Sequence, residues 1–190
     1  MTKSEAGMTG ARADAIEMLT ADHREVEQLF KQYEAAKNDP GVATYAAENI
    51  IRELSVHAAV EEMILYPMLR QVDPGQSGLV DHSIEEHQEV KELLARVDGQ
   101  PADDPDVRQT FSKIKASVEE HVAEEEGKVF PALRSHVKQD DLMQLGERMQ
   151  KAKATAPTHP HPHAPNTPPG NLMMGPIAAM VDKVRDFLRS

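Results

Sequence analysis

The stretch HAAVEEMILYPMLR at residues 57–70 returns as HVAEEEGKVFPALR at 121–134, with seven of fourteen positions unchanged. Each copy sets a histidine, and four residues later a glutamate, on a face that helical periodicity reserves for the core. A fold for this chain must therefore bury ionisable groups at matching points of two helices. Few architectures tolerate that.

The spacing of apolar residues predicts four helices. Over about 14–37 the stripe is Ile16, Leu19, position 23, Val26, Phe30 and Tyr33. Over about 43–71 it is Ile50, Leu54, positions 57 and 61, Leu65 and Met68. Over about 78–98 it is Val80, Ile84, position 87, Val90, Leu94 and Val97. The fourth starts where Asp104 can cap and Pro105 fits the first turn, and continues through Val107, Phe111, Ile114, Val118, positions 121 and 125, Val129 and Leu133. The connections NDPG, VDPGQSG and DGQPADD are short and rich in turn residues, so neighbouring helices should run antiparallel. The expected fold is all-α, an up-down-up-down four-helix bundle.

The interrupted stripe positions are His23, His57, Glu61, His87, His121 and Glu125. No stripe carries a Lys or Arg to offset the two glutamates. A buried carboxylate without a partner costs several kcal/mol, against a net domain stability of about 5–15 kcal/mol. A cation among these groups is the economical solution. The intervals His23–His57 and His87–His121 are both 34 residues, so the chain reads as two hairpins of the form H…HxxxE related by a pseudo-twofold. Two ions would each gain two imidazoles, with both carboxylates free to bridge. Nitrogen and oxygen donors without sulfur suit iron, manganese or zinc. Without a metal, the same residues would have to form a fully paired His–Glu network.

Other residues are assigned by their place on these helices. His82 lies five residues before His87 and off the stripe, so it is expected at the surface; it becomes a seventh ligand only if the helix is bulged there. His136 is also expected at the surface. Tyr66 and Phe130, beside the repeated Pro67 and Pro131, are read as core packing, with Tyr66 within reach of the site. The two prolines are expected to kink or end their helices. Glu62, Glu85, Glu86, Glu124 and Glu126 are read as solvated faces or as outer supports of the site.

Composition removes several classes. There is no cysteine, which excludes disulfides, thiolate metal sites and a cysteine nucleophile. The net charge of −11 opposes nucleic acid as a partner. Neither a signal-peptide pattern nor a membrane span is found, and a cytoplasmic location is expected.

The elements LTADHREVEQLF, HAAVEE…YP, EEHQEVKELL and HVAEEE…FP, in this order over about residues 14–136, resemble the hemerythrin-like family of HHE cation-binding domains. The resemblance implies a non-haem di-iron centre bridged by two carboxylates and an oxo or hydroxo oxygen, with His23, His57, Glu61, His87, His121 and Glu125 as ligands. Oxygen-carrying hemerythrins have HxxxH in the third helix; here Ser83 stands four residues before His87, so one ion would take water or another side chain. Reversible oxygen carriage is therefore not implied. The resemblance implies binding or processing of oxygen, peroxide or nitric oxide, in oxidative or nitrosative stress or in iron or oxygen sensing. As an enzyme the protein would decompose peroxide as a catalase does. The alternatives are a repair or iron-donor protein for damaged iron centres and a structural bundle without cofactor.

The bundle is assigned to residues 14–136, followed by a helical extension at 137–154 with Leu142, Leu145 and Met149 as a weak stripe. A Pro/His-rich linker at 155–176 carries His159, His161 and His163. The last segment, 177–190, has the pattern of an amphipathic helix and is expected to dock on the bundle, a second copy or a partner.

Overall fold

The computed structural model describes residues 13–165, so the 177–190 segment lies outside the described residues. Helix α1 spans Ala15–Ala35 and α2 Pro40–Val60. A five-residue π turn, Glu61–Leu65, joins α2 to α3, Tyr66–Val72. After a 3-10 turn at Pro74–Gln76 come α4, Ser77–Val97, and α5, Pro105–Glu124. A second π turn, Glu125–Val129, leads into α6, Phe130–His136, and α7 spans Gln139–Lys153. No strand occurs among the described residues.

The helix starts follow from the sequence. Asp14 and Glu17 form a reciprocal capping box on α1, with bonds of 2.9 and 3.0 Å. Asp39 and Asp104 cap α2 and α5, each just before a proline. The directions are fixed by cross-links. Lys115, Glu126 and Arg134 meet Glu34, Arg24 and Asp14, so α1 runs against α5–α6. Glu62–Lys91 and Arg70–Asp81 run α2–α3 against α4 in the same way. The arrangement is the expected four-helix bundle.

The prolines do not end their helices. Each helix widens by one residue ahead of its proline, and Tyr66 N–H and Phe130 N–H bond the carbonyls of Glu61 and Glu125, five residues back. This wider turn admits a ring that lacks an N–H and crowds the preceding turn.

The core is in two parts. One cluster holds Leu19, Val60, Leu65, Leu69, Val80 and Leu133; the other holds Val26, Phe30, Ile50, Leu94, Phe111 and Ile114. Along every long helix the interrupted stripe positions fall between them.

The extension is more than a weak stripe. Leu142, Leu145, Met149 and Ala152 of α7 are buried in the first cluster. Gly146 lets α7 approach the start of α1: a Cβ there would meet Ala13 O, Ala15 N and Asp14 C, all at 2.9 Å. Backbone on one side cannot yield as a side-chain tip would. Gly146→Ala should destabilise the fold by about 1–3 kcal/mol. Gly78→Ala, at the exposed start of α4 with nothing within 4 Å of the new Cβ, should instead be neutral or stabilising. Urea unfolding of both variants checks this; equal midpoints would refute the close approach.

Candidate metal centre

Each long helix delivers its interrupted positions to one level of the bundle. His23 comes from α1, His57 from the last turn of α2, His87 from α4 and His121 from the last turn of α5. Glu61 and Glu125 are the first residues of the two π turns. All six are buried, Glu61 completely.

They form two overlapping donor groups. His23, His57, Glu61 and Glu125 make one; Glu61, His87 and His121 make the other, and within each group the donor atoms lie within 4.8 Å of one another. Glu61 spans both, with Oε1 at 3.1 Å from His57 Nε2 and Oε2 at 3.4 Å from His87 Nε2. Glu125 Oε2 lies 3.3 Å from His23 Nε2 and 3.8 Å from His121 Nε2. Each glutamate thus meets one histidine of its own hairpin and one of the other.

While the Nε2 atoms face inward, every Nδ1 faces a carboxylate. Glu126 meets His23 at 2.9 Å, Asp22 meets His57 at 3.4 Å, Glu62 meets His87 at 3.0 Å and Glu86 meets His121 at 2.8 Å. An Nδ1–H that donates outward leaves the Nε2 lone pair pointing in, the tautomer a metal ligand needs. Inside, His23 Nε2, Glu61 Oε1 and Glu125 Oε2 are buried without a hydrogen-bond partner. Every outer nitrogen paired, and these three inner atoms left open, is the pattern that a set of metal ligands requires. The donor chemistry fits iron.

Residues 14–133 match the family model of the hemerythrin HHE cation binding domain. The chain belongs to this family. It is 30% identical over 169 residues to an uncharacterized hemerythrin-like protein of Schizosaccharomyces pombe, covering 88% of this chain and 82% of that one. It is also 25% identical over 138 residues to a DNA nickase of a Nostoc species, covering 73% of this chain but 38% of the nickase. The fold is that of the crystal structure of a hemerythrin HHE cation binding domain-containing protein from Mycobacterium kansasii. That structure has a TM-score of 0.64 and 23% identity, and covers 75% of this chain and 89% of its own.

At the position where oxygen-carrying hemerythrins place a further histidine, this member has Ser83, which is buried and bonds back to Leu79 O. Beside it stands Tyr66. Its hydroxyl lies 3.3 Å from Glu125 Oε1, 3.5 Å from Glu61 Oε2 and 3.4 Å from His87 Nε2. Core packing was therefore too modest a role: this oxygen faces the second donor group. Burial, reinforced by Glu125 and Glu61, raises its pKa well above the usual phenol value, so the proton stays on Oη and can be donated to the carboxylates. Phe130, the counterpart in the other hairpin, stacks on His23 at 5.8 Å and offers no oxygen.

The charges also balance without a metal, which the stripes alone did not show. Burial pushes the imidazole of His57 down, but Glu61 and Asp22 outweigh it and raise the pKa to about 10. His87 is raised to about 9 by Glu61 and Glu62 against the same desolvation. Glu61 is desolvated too, yet these two histidines hold it well below the ordinary glutamate value. In metal-free protein, protons on His57 and His87 provide the positive charge.

Of the acids expected on solvated faces, Glu85 is exposed. Glu62 is buried and bonds both His87 and Lys91, while Glu86 and Glu126 are half-buried supports of His121 and His23. Asp22 was missed altogether. The repeat held a clue: the two hairpins are 64 residues apart, and Asp22/Glu86 and Glu62/Glu126 are equivalent pairs in that register. His82 is off the inner site, 57% exposed, and lies 3.5 Å from Glu86 and 3.7 Å from Glu124. His136 is exposed, as are His159, which bonds Asp98, and His161 and His163.

Proposed function

We propose that the protein is a non-haem di-iron protein that binds or processes a small oxidant (oxygen, peroxide or nitric oxide) in oxidative or nitrosative stress or in sensing. His23, His57, His87 and His121 would hold the ions through Nε2, with Glu61 and Glu125 between them. A pair of iron ions would supply redox electrons and an open coordination position.

The observation that carries this reading is the space beside the imidazoles. A cavity of about 30 Å³ is lined by the four histidines, by apolar residues among them Val26, Leu54, Val90 and Leu94, and by the charged Asp22, Glu86 and Lys91. One water needs about 10–15 Å³ by the same measure, so the cavity has room for a ligand of about two heavy atoms. Tyr66, which does not line the cavity, keeps a proton within hydrogen-bond reach of both bridging carboxylates. No helix among the described residues is long and apolar enough to cross a membrane. The charge of −11 gives a DNA backbone little to bind, and the nickase activity of the Nostoc relative is not carried over.

Protein produced with iron and without chelator should contain about two iron per chain. His87→Ala should lower that content sharply and His82→Ala should leave it nearly unchanged. One metal per chain, zinc alone, or equal losses in the two variants would count against the assignment. With peroxide, sustained oxygen evolution identifies an enzyme; a reversible optical change without turnover identifies a sensor or carrier.

Tyr66→Phe should retain iron, since all six histidine and glutamate donors stay in place. It should change the rate at which the loaded protein reacts with peroxide, followed by stopped-flow absorbance. Unchanged kinetics would reduce Tyr66 to packing.

A further inference from the structure

The outer carboxylates are alike on the inside and unlike on the outside. Three are capped by permanent cations: Glu126 by Arg24 at 2.7 Å, Asp22 by Lys153 at 2.5 Å and Glu62 by Lys91 at 2.7 Å. The fourth, Glu86, faces His82 Nε2 at 3.5 Å, and His82 in turn faces Glu124 Oε2 at 3.7 Å. Histidine differs from Arg and Lys here because it can present a lone pair in place of a charge.

These three residues form a donor set of their own. His82 Nε2 and one oxygen each of Glu86 and Glu124 lie within 4.8 Å of one another, at the surface between α4 and α5. Glu124 Oε1 is taken by Lys128 at 2.6 Å, whereas Oε2 is buried and makes no hydrogen bond. A carboxylate oxygen withdrawn from water and left open toward a histidine and a second carboxylate has the environment of a cation ligand. The half-exposed imidazole leaves the remaining coordination positions to water.

We propose that His82, Glu86 and Glu124 form a third, surface cation site that captures a divalent transition metal and passes it to the buried centre. Glu86 joins the two. Its Oε1 belongs to the surface set, and its Oε2 lies 2.8 Å from Nδ1 of His121. A cation held at the surface set is thus one carboxylate and one imidazole away from the inner donors. Nitrogen and oxygen donors without sulfur select Fe²⁺, Mn²⁺ or Zn²⁺ over softer ions, and one histidine makes the site weaker than the inner ones. The transfer step rests on the di-iron reading above; the surface site itself does not.

Two measurements on the full chain separate these claims. First, iron-loaded wild type is titrated with Mn²⁺, and free Mn²⁺ is read by its electron paramagnetic resonance signal. One additional, weakly bound Mn²⁺ per chain is expected, lost in His82→Ala and in Glu124→Gln. No binding, or equal binding by the variants, overturns the site. Second, metal-free protein is mixed anaerobically with Fe²⁺, and loading is followed in time. Both variants, each lacking one donor of the surface set, should load more slowly than wild type and should reach the same final iron content. Unchanged rates overturn the capture role, and a reduced final content would instead make His82 an inner ligand. If wild type takes up no iron at the buried centre, the di-iron reading fails while the Mn²⁺ titration of the same protein still decides the surface site.

Discussion

Removing the metal from the loaded protein is expected to lower its melting temperature by about 10 °C. Binding to the native state alone adds about 4 kcal/mol when the free ion stands at a thousand times its dissociation constant. For a chain of this length each kcal/mol moves the midpoint by about 2–4 °C. The loss should depend on pH, and its sign follows from the site. Unfolded histidine titrates near 6.5, whereas His57 and His87 in the metal-free fold titrate near 10 and 9. A raised pKa stabilises the fold fully below the unfolded value, and that contribution disappears as pH rises through the folded one. Glu61, held low, contributes above the unfolded carboxylate range and stops doing so in acid. Metal-free protein should therefore be most stable from mildly acidic to neutral pH and should weaken from pH 7 to 10. Loaded protein, whose imidazoles carry no proton on Nε2, should change much less over that interval. Calorimetry of both forms at pH 6.5 and 9.5 tests this, and a gap that stays constant or narrows at high pH would contradict it.

Glu61→Gln should remove both ions together. Glu61 is the residue shared by the two donor groups, one oxygen toward each, and it is fully buried. An amide keeps the shape but cannot bring an anionic oxygen to both sides. Changes one layer out should be milder: Glu62→Ala frees His87 Nδ1 and should weaken metal binding about 10–100-fold. Metal analysis after equilibrium dialysis, with circular dichroism to confirm helicity, ranks the variants. A Gln variant that retains two ions would show that Glu61 does not bridge.

What could be read from the chain was what one helix records about itself. Each long helix carries its own three-to-four spacing, so its buried face and the breaks in it at 23, 57, 61, 87, 121 and 125 were visible without knowing the neighbours. What a residue meets on a different helix leaves no such trace. Glu62, buried against His87 and Lys91, reads like the exposed Glu85, because an acid on a helix flank has the same local pattern whether it faces water or an imidazole. Asp22 was invisible for that reason, since its partners His57 and Lys153 lie 35 and 131 residues away. Tyr66 was ambiguous because an aromatic beside a proline packs well, and the partners of its oxygen, Glu125 and His87, lie on other helices. The depth of α7 was underestimated from three apolar residues; Gly146, which permits its approach, carries no hydrophobic signal at all.

The two widened turns also set a length. Each hairpin holds one residue more between its glutamate and its proline than an unbroken α-helix would use, and in both the interval is six residues, Glu61 to Pro67 and Glu125 to Pro131. Excising one residue from either turn would restore α-helical winding and rotate everything beyond it by about 100°. In the first hairpin Tyr66 would swing away from the glutamates, and in the second Phe130 would leave His23. Between glutamate and proline the two copies in this chain keep the same count, and that interval offers a criterion for recognising distant copies of the half-site where few side chains remain alike.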